Sequence, residues 1–198
     1  MPKIVDHAAR RRHIATKAVA VLVRDGIQDA HLGKVADECG LARTTLYQSF
    51  KNLDELIDFT LAETFDLLEA KALVQDPSLD PVERIRQFLH LQARVAIEEK
   101  EKMVLVLDLL LHPHRQAAGR KFDAPERVRT LRAELAGLLE QAVAAGEFKP
   151  LDARSMAFTL FTFVEAATVH AVYYDNIRLD DTVRDIDLLI EGLRAPKD

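Results

Sequence analysis

The residues best equipped for chemistry lie in the run Arg43-Thr44-Thr45-Leu46-Tyr47-Gln48-Ser49-Phe50-Lys51. Thr offers a methyl and a hydroxyl to a thymine methyl or a base edge, Gln can pair with adenine, and Arg can pair with guanine, which are the contacts of major-groove reading. If residues 43–50 are helical, Leu46 and Phe50 share one side, leaving Arg43, Thr44, Thr45, Tyr47 and Gln48 facing outward. A short helix before them, carrying Val35, Ala36 and Cys39, can close a small core with Leu46 and Phe50, and Gly40 permits the sharp turn between the two. Cys39 is expected to pack that turn as an inert residue rather than to act as a redox group. Arg10, Arg11 and Arg12 open the chain's first helix, where they could lie along phosphates, reach a minor groove, or remain solvated. The same composition also suits a plain helical hairpin with a polar face, and spacing alone leaves both readings open.

Charge is distributed unevenly. The 198 residues carry 27 basic and 32 acidic side chains, a net of −5. Residues 1–52 hold nine Lys or Arg against five Asp or Glu, a net of +4, so the remaining 146 residues carry −9. A small basic head on an acidic body is the asymmetry expected when one end meets a polyanion. With 48% hydrophobic and 30% charged residues, the composition is that of a soluble globular chain and excludes collagen-like, mucin-like and disordered classes. One cysteine allows neither an internal disulfide nor a Cys-based zinc site, so a reducing, cytoplasmic setting is expected. The start lacks a signal-peptide pattern and the apolar run Met103–Leu111 is interrupted by Asp108, so no membrane segment is expected.

The elements that must position the reading residues are helices. Asp6 caps a helix whose apolar stripe includes Ile14, Ala18, Val21 and Leu22, ended by Gly26. Short helices follow over 32–39 and 43–50, then longer ones over about 53–74, 80–98, 102–111, 123–145, 152–174 and 180–193. The sequences Asp80-Pro81-Val82-Glu83 and Asp123-Ala124-Pro125-Glu126 are start signals, combining a cap, an early proline and an acid in the first turn. Asp152, and Asp180 or Asp181, are expected to cap the last two helices, while Asp76-Pro77 and His112-Pro113-His114 break the chain. His112 and His114 are read as loop residues rather than metal ligands. The expected fold is therefore all-α with about nine helices: an N-terminal three-helix helix-turn-helix domain over 1–52 and a larger helical domain over 53–198.

The head resembles the DNA-binding domain of the TetR family of transcriptional regulators. The matching residues are Gly26 closing the first helix, Val35-Ala36 in the second, Cys39-Gly40-Leu41 at the turn, Thr45-Leu46-Tyr47-Gln48-Ser49-Phe50, then Asp54-Glu55-Leu56, together spanning about residues 10–60. Three positions depart from the family pattern. Ala42 stands where a capping Ser or Thr is usual, removing ~1 kcal/mol of helix-start stabilisation. His31 stands where the second helix commonly begins with Thr or Ser. Leu53 replaces a Lys, and Lys51 can take over its phosphate contact from the preceding loop. The resemblance implies that Arg10, Arg11, Arg12, His31, Arg43, Thr44, Thr45, Tyr47, Gln48 and Lys51 meet DNA.

In the body, residues 155–174 are apolar nearly all round and must be buried on more than one side. One side, with Ala157, Leu160, Val164, Thr168 and Ala171, is expected to pack with Val183, Ile186, Leu189, Ile190 and Leu193 in a four-helix interface with a second subunit. The resemblance further implies an effector cavity, for which the candidate walls are Phe88, Leu91, Met103, Leu107, Phe158, Phe161, Thr162, Glu165, His170 and Tyr173. The sequence thus points to a homodimeric repressor reading a palindromic operator, with half-sites about one helical turn, ~34 Å, apart, and released by a small, largely apolar effector. No cofactor, no metal and no membrane partner is expected. No Gly-rich phosphate loop, Ser/His/Asp set or His-x-x-x-His helix offers a catalytic centre. The competing class is a helical ligand-binding or interaction protein with weakened DNA binding.

Overall fold

Helix-start chemistry decides where the chain's elements begin. The computed structural model describes residues 6–73, 78–111 and 121–196, the side chains of 67–73 excepted. Asp6 accepts from the N–H groups of Ala8 and Ala9 and opens α1 (His7–Asp29). Gly26, at φ 77° and ψ 155°, interrupts α1 as a residue without a side chain can, and one further turn carries it to Asp29. Then come α2 (Leu32–Cys39), α3 (Arg43–Ser49) and α4 (Leu53–Leu73). Asp80 accepts from Glu83 N–H at 2.9 Å, with Pro81 in the first position, and starts α5 (Pro81–Glu98). The chain continues as α6 (Lys100–Leu111), α7 (Ala124–Ala144), α8 (Ala153–Tyr173) and α9 (Leu179–Leu193). Asp152 caps α8 by accepting from Ser155 N–H at 3.0 Å.

Among the described residues these nine helices carry the architecture, with one isolated antiparallel bridge between Phe148 and Arg194. The expected breaks at Asp76-Pro77 and His112-Pro113-His114 lie outside the described residues. One start differs from expectation. The residue before α9 is Arg178, which makes no side-chain cap, and Asp180 and Asp181 lie in the first turn instead. There their charges favour the positive end of the helix without replacing a cap.

The chain divides into two compact units, Met1–Phe65 with Val104–Ala124, and Asp66–Met103 with Pro125–Asp198. The division falls within α4 and α6 rather than at 52/53, so the first unit holds more than the three expected helices. Its head is a tripod in which α1 packs on α2 and α3, and α2 on α3. Ile14, Ala18, Val21, Leu22, Val35, Ala36, Leu46 and Phe50 fill its centre, each at most 1% exposed. In the second unit α5 packs on both α8 and α9. Arg86 fastens α5 to α9, donating from Nη1 to Asp187 at 2.7 Å and from Nη2 to Glu191 at 2.9 Å, and His90 Nε2 lies 2.8 Å from the same Asp187 oxygen. By length and composition α8 could cross a membrane, yet its Ala157, Leu160, Phe161, Val164, Ala167 and Ala171 are buried within the chain.

Candidate functional site

The reading helix is held at both ends by backbone geometry. Gly40 adopts the left-handed conformation, φ 63° and ψ 32°, which ends α2 and turns the chain: its N–H bonds Asp37 O at 3.1 Å, and Leu41 N–H reaches Ala36 O at 2.9 Å. Ala42 then takes the extended conformation of a cap residue but has no oxygen to offer, and α3 starts without a side-chain cap. Leu46 and Phe50 turn into the head, fully buried. Arg43, Thr44, Tyr47 and Gln48 are exposed, Tyr47 at 57%, and Thr45 is half-buried at the edge of the same face. Lys51, just beyond α3, is exposed as well.

His31 begins α2 as its cap. Its Nδ1 accepts from Lys34 N–H at 3.3 Å, which places the proton of the neutral ring on Nε2. Gly33 keeps this corner open: a Cβ there would stand 3.0 Å from His31 Nδ1, close enough to push the ring by a few tenths of an ångström, and in ordinary contact, 3.5 Å, with the Arg43 guanidinium carbon. His31 and Arg43 thus flank Gly33 on one side of the head.

The three N-terminal arginines part company. Arg12 is exposed and Arg10 partly so. Arg11 is turned into the head, its guanidinium 4.3 Å from the Phe50 ring centre and 4.6 Å from that of Phe59. Nη1 donates to Ser49 O at 3.0 Å and to Glu55 Oε1 at 3.1 Å. Glu55 in turn accepts from Lys51 N–H at 2.8 Å, and this bond, joined by Arg11, holds its carboxyl below the usual range against the opposing effect of burial. Arg11 thus fixes the end of α3 to α4 from inside, and the expectation of a free phosphate contact is corrected. Nothing near Arg11 in sequence signals this, because its partners lie 38 to 48 residues away.

Other charges of the head are also paired internally. Lys34 Nζ reaches Asp25 at 2.8 Å and Asp29 O at 3.1 Å, tying the end of α1 to α2, and Arg24 bridges Asp25 and Glu38. Lys34 and Arg24 together hold the Asp25 carboxyl below its ordinary value. Cys39 is half-buried rather than fully packed, and burial, reinforced by Glu38, pushes its thiol up, away from the reactive thiolate.

In the body the expected residues separate by exposure. Of the candidate cavity walls, Phe88, Met103 and Phe161 are buried in the second unit and Leu107 in the first, while Leu91 and Glu165 are half-buried. Burial raises the Glu165 carboxyl, with Arg132 pulling the other way. Phe158, Thr162, His170 and Tyr173 are exposed rather than buried, Phe158 at 55% and Tyr173 at 56%. His170 lies near the end of α8, 3.2 Å from Asn176 Oδ1 and against the Tyr174 ring.

The residues expected at the interface also separate by exposure. Ala157, Leu160, Val164, Thr168, Ala171, Ile186 and Ile190 are already buried within the chain, Val183 and Leu193 are half-buried, and of the ten only Leu189 is exposed. The exposed apolar residues of these two helices are instead Phe158, Tyr173, Leu188 and Leu189, with Ala166 and Gly192 between them at helical spacing. Leu188, at 66% the most exposed of them, was missed because it falls between the residues of the buried α9 stripe.

Comparison with known proteins finds relatives among transcriptional regulators. Residues 78–169 match the family model described as the Tetracyclin repressor-like, C-terminal domain. The HTH-type transcriptional regulator PksA of Bacillus subtilis is 36% identical over 61 residues, 31% of this chain and 30% of its own length. The HTH-type transcriptional repressor KstR2 of Mycolicibacterium smegmatis is 23% identical over 150 residues, covering 72% of this chain and 69% of that one. Among solved structures, AibR in complex with isovaleryl coenzyme A and operator DNA superimposes with a TM-score of 0.70 at 21% identity, over 95% of this chain and all of that one. At that identity the likeness concerns the fold.

Proposed function

Since this chain belongs to the TetR family of transcriptional regulators, we propose that it is a homodimeric repressor that reads a palindromic operator and releases it when an effector enters the body. It is a DNA-binding regulator by family; dimerisation, operator symmetry and release by a ligand are the finer reading. The observation that carries it is the outward face of α3, where Arg43, Thr44, Tyr47 and Gln48 stand exposed while Leu46 and Phe50 anchor the helix behind them. Arg10, Arg12, His31 through its Nε2–H, and Lys51 supply phosphate contacts around that face, and Thr45 supplies an edge contact. The site is carried by a cytoplasmic protein, where the chromosome is.

Dimerisation follows from what the body leaves uncovered. Phe158 and Tyr173 on α8 and Leu188 and Leu189 on α9 stand exposed, and a second copy related by a two-fold axis would cover them. The small residues Ala166 and Gly192 let the crossing helices approach. A two-fold dimer presents two reading helices in opposed orientation, which is the symmetry of a palindrome.

The effector reading draws on AibR, whose solved complex contains isovaleryl coenzyme A. An acyl thioester has the matching character for this body: an apolar chain for an interior of Phe88, Phe161 and Met103, and a polar carrier that stays in water. To loosen DNA, the ligand must bind one spacing of the two heads more tightly than the other, by a coupling of ~1–3 kcal/mol.

Protection of the DNA upstream of the protein's own gene tests the reading. The wild type is expected to protect two half-sites, with Tyr47→Ala and Thr45→Ala each weakening binding by about 10-fold or more, corresponding to ~1–3 kcal/mol per base contact. Undiminished protection by both variants removes α3 from the reading role. The uncapped start of α3 at Ala42 favours the second reading, an interaction protein with weakened DNA binding, and failure to shift DNA even at low salt establishes that alternative.

A further inference from the structure

Buried polar side chains in this protein follow one rule, and Gln92 breaks it. Ser49, Thr60, Thr64, Thr168 and Thr182 are buried, and each hydroxyl donates to the backbone oxygen four residues earlier, on Thr45, Leu56, Thr60, Val164 and Arg178 respectively. Such a bond satisfies the hydroxyl within its own helix at a small cost and leaves no group wanting a partner. Gln92, in the middle of α5, is 6% exposed, and its Nε2 is buried with no hydrogen-bond partner. Arg11 and Asp58 also have one unbonded buried atom, but their side chains are held elsewhere, Arg11 by Nη1 and Asp58 by Oδ2 accepting from Lys121 N–H. One turn to either side, Gln92 has Phe88 and Leu89, and Val95 and Ala96, all buried and apolar.

An amide is an expensive group to leave unpaired among apolar side chains, where Leu or Met would fill the same volume. It also lies on the side of α5 away from His90, so it takes no part in the Arg86–His90–Asp187 fastening to α9. The chemistry it can serve is narrow. Gln92 is neutral, and among the described residues of the second unit no buried side chain is ionised, so a carboxylate or phosphate brought beside it would find no countercharge there. A neutral acceptor on an otherwise apolar ligand fits.

We propose that Gln92 is the specificity residue of the effector site, its Nε2 donating to the carbonyl oxygen of the effector's acyl group. This rests on the acyl-thioester reading above. A buried donor waiting unpaired rewards a ligand that brings a carbonyl and discriminates against the same chain without one, because polar groups left unpaired on binding weigh heavily.

The test uses the full-length protein with octanoyl-coenzyme A, isovaleryl-coenzyme A and their S-alkyl thioether analogues, which lack the carbonyl oxygen. Wild type binds each thioester about 10-fold more tightly than its thioether, and in Gln92→Leu the preference vanishes, with thioether affinity unchanged. Without ligand, Gln92→Leu melts at the wild-type temperature or a few degrees above it, since no bond is lost and an unpaired group is removed; Gln92→Met, closer in shape, behaves alike. A melting temperature lowered by more than about 5 °C in both variants overturns the proposal, because Gln92 then holds the fold. Equal affinity of wild type for thioester and thioether overturns it as well, while leaving the effector class standing. Failure of either thioester to bind overturns the effector reading and this role with it.

Discussion

Replacing Arg11 by Met separates a structural arginine from a DNA-binding one. The guanidinium stacks on Phe50 and Phe59 and donates to Ser49 O and Glu55, with the side chain 31% exposed. A partly exposed cation–π contact is worth ~0.5–1 kcal/mol and a hydrogen bond from a charged donor ~1.5–3 kcal/mol, the latter reduced here by solvent. Met keeps apolar contact with the rings. The net loss is therefore about 2 kcal/mol, which for a chain of this length lowers the melting temperature by ~4–8 °C. Calorimetry measures that loss, and fluorescence anisotropy on operator DNA across a salt series, below the melting range, measures the other half. Arg11→Met keeps the wild-type slope of log affinity against log salt, while Arg12→Ala makes it shallower by about one. Unchanged melting together with a shallower slope for Arg11→Met refutes the internal role.

Four other outcomes follow from the same geometry. Ala42 already has cap-compatible backbone angles, so Ala42→Ser supplies the missing acceptor and stabilises the protein by ~1 kcal/mol, read as a melting temperature ~2–4 °C higher. The Glu55 carboxyl is held below its ordinary value of 4.5, so its contribution is complete above that pH and is lost as pH falls through the lower folded value. Acid titration of stability therefore shows a smaller decline below about pH 4.5 in Glu55→Gln than in wild type. Leu188→Glu leaves the fold of each chain intact, because Leu188 is exposed, but weakens self-association by 100-fold or more in sedimentation, about 3 kcal/mol for a charge set in an apolar interface. Leu160→Ala, by contrast, lowers stability by ~2–5 kcal/mol, as a cavity inside the chain does.

Local chemistry was legible in the sequence where it is self-contained. Asp6, Asp80 and Asp152 cap the helices they were expected to cap, because a side-chain oxygen and the next three N–H groups decide the matter within one turn. Gly40 takes the left-handed conformation at the expected end of α2, whereas Gly26, also at positive φ, kinks α1 where its end was expected and the helix resumes to Asp29. The four-residue spacing of Leu46 and Phe50 likewise foretells which face of α3 turns inward and so which turns outward. What could not be read is what depends on partners far along the chain. On α8, Phe158, Leu160, Phe161, Phe163 and Val164 spread hydrophobicity around the helix, so periodicity does not say which side is covered within the chain. Arg11 looks like its two neighbours until α4 brings Glu55 and Phe59 beside it. Gln92 is one polar residue in an apolar stripe, and only the absence of a bond distinguishes it from a satisfied amide.

Binding of the purified protein to a duplex carrying the upstream region of its own gene, titrated at a series of salt concentrations, bears most directly on the central claim. The account predicts two chains per palindromic site and a log–log slope of about −5 or steeper, from roughly three phosphates neutralised by each head at ~0.9 per phosphate. One chain per site, or affinity indifferent to salt, contradicts it.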